Sequence, residues 1–374
     1  MPRAHILRES RIEQSPRVKQ VEGIFDIPIS ERSSEKWEVN LPLEDREWHI
    51  GLIAGPSGCG KSTIARELFG AAVCVGFDWP EQKSILDGFP EMSIKDITEI
   101  LSSVGFSSPP LWLRPFQVLS TGQQMRVNVA RLLAEQKNLA VMDEFTSVVD
   151  RTVAQIGSAA IAKTIRRRNQ KFVAVTCHYD VADWLQPDWI YQPQRNEFAW
   201  RSLQRRPAIG LEISRVHHSA WKLFKPYHYL NLSFNKGARA YVAFYRDQPV
   251  ALQAVLKTPH AKVHNLYRGH RAVCLPDFQG VGIGNALITY IASAYRGIGA
   301  RITSTTASPA LNKSRARDAR WKCIKPPKLN QPFGPSSSLS IRTKWIPAVN
   351  RLTTTWEYIG PALARDQAQA LIYG

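Results

Sequence analysis

The sequence predicts an α/β protein of two consecutive units, the first built on a parallel sheet and the second on a mixed α/β sheet. Two glycine loops predict it, each lying between an apolar strand and a helical run. A change in charge near residue 205 agrees. Up to Gln204 the chain has 24 Lys+Arg against 25 Asp+Glu, and from Arg205 onward 25 against 6, so nearly all of the net +18 belongs to the second unit. A length of 374 residues also exceeds one domain of about 150. The arginine-rich stretch Gln192–Pro207, with Pro193 and Pro207, marks the join. The expected organisation is a polar, flexible arm over 1–17 and units over 18–207 and 208–374.

The first loop follows the apolar run Ile50–Ala54. Gly55-Pro56-Ser57-Gly58-Cys59-Gly60-Lys61-Ser62-Thr63 matches G-x-x-x-x-G-K-[ST] at every required position. Gly55, Gly58 and Gly60 let successive backbone N–H groups turn inward around an anion, and the helix starting near Lys61 points its positive end at the same place. Lys61 reaches β- and γ-phosphates in such a loop, and Ser62 offers a hydroxyl to Mg²⁺. Ser57 and Thr63 complete the cradle. Leu139-Ala140-Val141-Met142-Asp143-Glu144 reads as a buried parallel strand ending in two carboxylates. Asp143 suits Mg²⁺, and Glu144 suits an attacking water.

About 20 residues earlier stands Leu119-Ser120-Thr121-Gly122-Gln123-Gln124, followed by the amphipathic run Met125–Leu133. This segment resembles the LSGGQ signature of ABC-type ATPases, with Thr121 in place of the first glycine. Ser147-Val148-Val149-Asp150 sits where that family has its D-loop, and Thr176-Cys177-His178 follows the next apolar strand, Phe172–Val175. The resemblance implies that His178 senses the γ-phosphate and that Gln82 is the Q-loop glutamine. It also implies that Ser120, Gly122 and Gln123 of one copy close over the ATP of another, so an ATP-dependent homodimer is expected.

No run of 18 or more apolar residues is present, so no membrane span is expected, and Met1-Pro2-Arg3-Ala4-His5 has no apolar signal-peptide core. Five cysteines without C-x-x-C spacing indicate neither a disulfide framework nor a zinc site. A cytoplasmic protein is expected, in the host cytoplasm if phage-encoded.

The second loop, Gln279-Gly280-Val281-Gly282-Ile283-Gly284, fits Q/R-x-x-G-x-G/A, after the strand Ala272–Leu275 and before the helical run Asn285–Tyr295. Together with Leu275-Pro276-Asp277-Phe278 it resembles the pyrophosphate loop of GNAT acyltransferases. A hairpin, Ala238–Tyr245 and Val250–Leu256 around Arg246-Asp247-Gln248-Pro249, precedes it. Ala300–Thr306 then leads into Ser308-Pro309-Ala310-Leu311-Asn312, and Arg351–Ile359 is expected to close the sheet. The resemblance covers roughly Glu212 to Gly360 and implies an acetyl-CoA site with Leu275, Gln279, Gly280, Gly282, Gly284 and Asn312 around the cofactor.

Direct acyl transfer needs a base, an oxyanion donor near Leu275 and an acid. Asp277 is either that base or a solvated turn residue. His217, His218, His228 and Tyr229 are acid/base groups or aromatic packing, and Ser308 is a further choice. The basic second unit, with Lys313–Lys322 and Lys325–Lys328, suits a polyanion. Trp221, Tyr227, Tyr229, Trp321 and Trp345 are placed to stack on bases of DNA or RNA. A solvated basic face that meets only CoA or an acidic protein stays open. The whole arrangement resembles ABC-ATPase–acetyltransferase fusions of prokaryotes and phages, and its second half is similar to Mom-type DNA modification proteins. The function implied is acetylation of a nucleobase amine. The alternatives are an ABC-type DNA-maintenance ATPase without acyl transfer and a protein or small-molecule N-acetyltransferase.

Overall fold

The computed structural model describes residues 3–26, 32–229, 233–329 and 352–374. The chain forms two compact units, Met1–Val104 with Pro115–Pro207, and Gly105–Arg114 with Ala208–Gly374. The second unit thus takes a ten-residue segment from well upstream.

In the first unit, β1 (Arg3–Arg11) and β2 (Arg32–Asn40) pair antiparallel along nine residues each. The arm expected to be flexible is therefore a strand. Its anchor is apolar: Ile6 and Val39 are buried in the same cluster as Ile53, Ile64, Val141 and Trp189. The main sheet comprises β3 (Ile50–Ala54), β4 (Val73–Cys74), β5 (Leu139–Met142), β6 (Lys171–Thr176), β7 (Trp189–Gln192) and β8 (Glu197–Trp200), in the order β4-β5-β6-β3-β7-β8. All neighbours are parallel except β7 and β8. Every side chain of β3 is buried, as expected of a strand covered on both faces. Each buried Leu or Ile there contributes about 1.5–3 kcal/mol. Because β5, β6 and β3 are adjacent and parallel, their carboxyl ends lie side by side. Residues after each strand are thereby gathered at one edge.

The second unit is a seven-stranded sheet of β9 (Glu212–Val216), β10 (Arg239–Tyr245), β11 (Gln248–Lys257), β12 (Leu266–Cys274), β13 (Arg301–Thr306), β14 (Trp321–Leu329) and β15 (Leu352–Tyr358). Their order is β14-β15-β13-β12-β11-β10-β9. The expected closing strand lies inside the sheet, because β14, formed by the basic stretch read as a surface cluster, pairs outside it. Only β12 and β13 are parallel, and they pair at Leu266↔Arg301, Tyr267↔Ile302 and Arg268↔Thr303 alone. Beyond those pairs both strands run on unpaired with each other. The Ile283–Gly297 helix connects them and buries Ile283, Leu287, Ile288, Ile291 and Ala294. In β12 the register against β11 slips between Arg271 and Gly269, leaving His270 as the extra residue of a bulge. No helix among the described residues is long and apolar enough to cross a membrane.

Candidate nucleotide site

The glycine loop leaves β3 and enters the Lys61–Phe69 helix through Gly58 and Gly60, whose φ angles are 82° and 86°. Those angles suit glycine because a Cβ there would crowd the backbone. At Gly60 it would also stand 2.5 Å from the indole of Trp37. Ser57, Gly58, Gly60, Lys61, Ser62 and Thr63 line a cavity of about 430 Å³ together with Asp143 and Glu144 from the end of β5 and Thr176 and Cys177 from the end of β6. Gly55 lies behind the loop, its N–H donating to the Thr176 carbonyl at 3.3 Å.

Inside this cavity Ser62 Oγ donates to Asp143 Oδ1 at 3.0 Å, so the two expected metal ligands, 81 residues apart in sequence, meet. Asp143 is 4% exposed, and its Oδ2 lies 3.9 Å from Arg66 Nη2. Paired hard oxygens of this kind fit Mg²⁺. Lys61 Nζ donates to the Pro56 carbonyl at 2.6 Å, bridging the loop. Glu144 is exposed, with φ 54°, and Thr146 has φ 66°, so the turn after β5 holds two non-glycine residues in a left-handed conformation. Such strain persists only where neighbours enforce it.

Trp37 and Glu35 on β2 also line the cavity. The expected site residues do not include them. An aromatic strand residue upstream of the loop was the available signal, but only the β1–β2 ribbon brings it there. Gln82 does not line the cavity; it sits at φ 58° in an exposed turn. His178 is half-buried one residue beyond the lining Cys177, its N–H donating to Thr176 Oγ1 at 3.1 Å. Asp150 caps the Arg151–Arg168 helix by accepting from the Thr152 and Val153 amides. Ser120 and Gln123 form a capping box at the start of the Thr121–Glu135 helix, with Gly122 buried beside them. None of these four signature and D-loop residues lines this cavity.

No family model matches the chain. It is 23% identical over 264 residues to the energy-coupling factor transporter ATP-binding protein EcfA1 of Clostridium perfringens, covering 56% of this chain and 90% of that protein. An uncharacterized ABC transporter ATP-binding protein of Haemophilus influenzae is 31% identical over 143 residues, 30% of this chain and 57% of its own. The chain carries an ABC-type ATP-binding domain. The Fe(3+) ions import ATP-binding protein FbpC of Mesorhizobium japonicum matches at 28% over 33% of this chain and 44% of its own. Among solved structures, cbiO1 from Clostridium perfringens overlaps 41% of this chain and 75% of its own at 20% identity and TM-score 0.31. At that score the assignment rests on the sequence relatives.

The second unit repeats the backbone device. Gly280 and Gly282 have φ angles of 89° and 99° before the Ile283–Gly297 helix, and Gly284 lies in its first turn. Gln279 Nε2 donates to the Cys274 carbonyl at 2.8 Å, and its Oε1 accepts from the Ser107 amide at 2.7 Å. The expected residues around this loop have the following partners. The Leu275 amide donates to the Val250 carbonyl at 2.9 Å, so an oxyanion donor near Leu275 would have to come from another group. Ser308 accepts from the Leu311 amide at 3.4 Å as a helix cap, and Asn312 Oδ1 accepts from Trp356 Nε1 at 2.9 Å as a packing bond. His228 is buried with its ring 5.2 Å from that of Trp221. Asp277 is half-buried in the Pro276–Phe278 turn. Trp221 and Trp321 are both buried, Tyr227 is half-buried and Tyr229 exposed, while Trp345 lies outside the described residues. Arg315, from the expected basic cluster, is buried over the Trp321 ring at 4.3 Å.

Proposed function

We propose that the protein is an ATP-dependent homodimeric ATPase whose second unit transfers an acetyl group from acetyl-CoA to an amine on a nucleic-acid acceptor. The contact between Ser62 and Asp143 carries the first half, because a hydroxyl and a buried carboxylate meet beside a phosphate loop. Backbone N–H groups from Ser57 to Thr63 hold the phosphates, and Lys61 exchanges the Pro56 carbonyl for a phosphate oxygen. Magnesium held by Ser62 and Asp143 supplies charge neutralisation at the β- and γ-phosphates when bound. Glu144 orients the attacking water and His178 contacts the γ-phosphate. The Trp37 indole, beside Gly60, stacks on the nucleobase. Ser120 and Gly122 serve the site of a second copy.

The second half draws support from the sheet order, from parallel strands that part after three residue pairs, and from the glycine loop between them. The backbone N–H groups of Gly280 to Gly284 would hold the pyrophosphate of CoA, whose thioester would supply the acetyl group. The acceptor rests on the 25-to-6 excess of basic residues, not on aromatic stacking. The relatives' names favour a second reading, an ATPase working beside a separate transport partner.

Glu144→Gln with ATP is expected to elute as a stable dimer from a sizing column, and elution as monomer alone counts against the dimer. Mass spectrometry of nucleosides after incubation with labelled acetyl-CoA and ATP then tests the transfer. Label in a nucleoside is expected. Label in protein moves the acceptor to protein, and absent CoA binding by calorimetry leaves the transport reading.

A further inference from the structure

Arg151 follows the helix cap Asp150, and its guanidinium reaches two separate turns. Nη2 and Nε donate to the two oxygens of Asp180 at 2.5 and 3.2 Å. Nη1 donates to the Thr146 carbonyl at 3.4 Å. Gln155, one helical turn further on, donates to the same Asp180 at 3.0 Å. Thr146 belongs to the turn that holds Glu144 and Thr146 in left-handed conformations. Asp180 lies two residues beyond His178, in the Tyr179–Val181 turn. One side chain therefore ties the turn after β5 to the turn after β6.

We propose that Arg151 is a positioning residue for ATP hydrolysis: its fork, closed on Asp180 and the Thr146 carbonyl, fixes the distance between Glu144 and His178. The inference rests on reading those two residues as the water-orienting and γ-phosphate-contacting groups. Arg151 itself does not line the cavity, so it acts through the backbone of both turns. The carbonyl it holds belongs to one of the two strained residues, where an outside constraint is required. Stability does not account for the arrangement. The two side chains are 37% and 41% exposed, and ion pairs so open to solvent add little to folding. A merely structural pair would thus be nearly silent when removed, whereas misplaced catalytic groups lose turnover steeply. Lysine cannot replace the fork, since it offers one point charge where three acceptors are engaged.

The test measures steady-state ATP turnover and nucleotide binding for the full chain and five variants: Arg151→Met, Arg151→Lys, Asp180→Asn, Asp180→Glu and Glu144→Gln. For the first three, kcat is expected to fall about ten- to hundredfold with KM for ATP and nucleotide affinity within about twofold of the parent. Asp180→Glu, which keeps both acceptor oxygens, is expected to recover part of the loss. Parent-level kcat in both Arg151→Met and Asp180→Asn overturns the proposal, as does a kcat loss accompanied by equal loss of nucleotide binding. Glu144→Gln separates the two possible failures. Turnover retained there undoes the reading of the ATP site itself, whereas turnover lost there but kept in Arg151→Met undoes the clamp alone.

Discussion

Gly58 and Gly60 in the first unit have φ angles of 82° and 86°, and Gly280 and Gly282 in the second have 89° and 99°. In each case the second glycine caps a helix that follows a strand. The backbone is the same anion nest built twice, but its surroundings differ. After Gly60 come Lys61 and Ser62, the latter bonded to Asp143. After Gly282 comes Ile283, 3% exposed and committed to the core. The Gln279 amide is likewise occupied, by Ser107 and Cys274. Backbone geometry alone marks a place for phosphate; the side chain after the last glycine decides how much charge the site can neutralise. A loop with a lysine and a carboxylate-paired hydroxyl fits a triphosphate carried with its metal. A loop backed by isoleucine fits a phosphate group held by N–H groups only.

The largest effect that breaks the comparison comes from Lys61→Ala. Loss of the ammonium should lower ATP turnover at least about hundredfold, since a charge-assisted contact made at the transferring phosphate is removed. Calorimetric affinity of the same variant for CoA should stay unchanged. A parallel loss in both measurements would show that the loops do not act as separate sites.

Trp37→Ala sharpens the difference further and has a smaller expected effect. Stacking of a base on an indole is worth roughly 1–3 kcal/mol, so KM for ATP should rise about tenfold with kcat little changed. GTP should suffer equally, because every base offers a stacking face. A variant that keeps the parent KM would move the nucleobase away from β2.

Much of the first site is legible in sequence because its parts follow consecutive parallel strands, and the strand order gathers them without help from distant packing. Ser62 and Asp143 meet for that reason. Trp37 was hidden because its position depends on β1 and β2 pairing and on Ile6 and Val39 joining the core, which no local pattern states. In the second unit, local chemistry leaves the roles open. Ser308 and Asn312 are polar residues after a strand, a description that suits a helix cap or a packing bond as well as a ligand. The basic run from Lys313 reads as one charged face, yet Arg315 turns inward to Trp321 while Arg320 pairs with Asp318 at 2.8 Å. Pairing of β14 outside β15 was equally out of reach, since it joins segments with no shared local signal.

The strand leading to the second loop carries a pH response of its own, and this is the smallest effect expected. His270, in the bulge of β12, has its pKa pushed down from 6.5 to about 4 by burial, with Arg271, Arg268 and His228 adding repulsion. Its Nε2 accepts from the Asn235 amide at 3.2 Å, which requires that nitrogen to be free of a proton. The folded form thus resists a proton that the unfolded chain accepts near pH 6.5. Above that pH there is no penalty; as pH falls the penalty grows, and it is complete below about 4. The full shift amounts to roughly 3 kcal/mol, and partial solvent contact reduces it to about 1–2 kcal/mol. Between pH 7 and pH 5 the second unit should therefore lose stability in urea melts, and His270→Gln, which cannot take up the proton, should flatten that slope. An unchanged slope in the variant would assign the acid sensitivity to the repulsion among the unit's many cations instead, a cause that added salt would screen and the histidine would not affect.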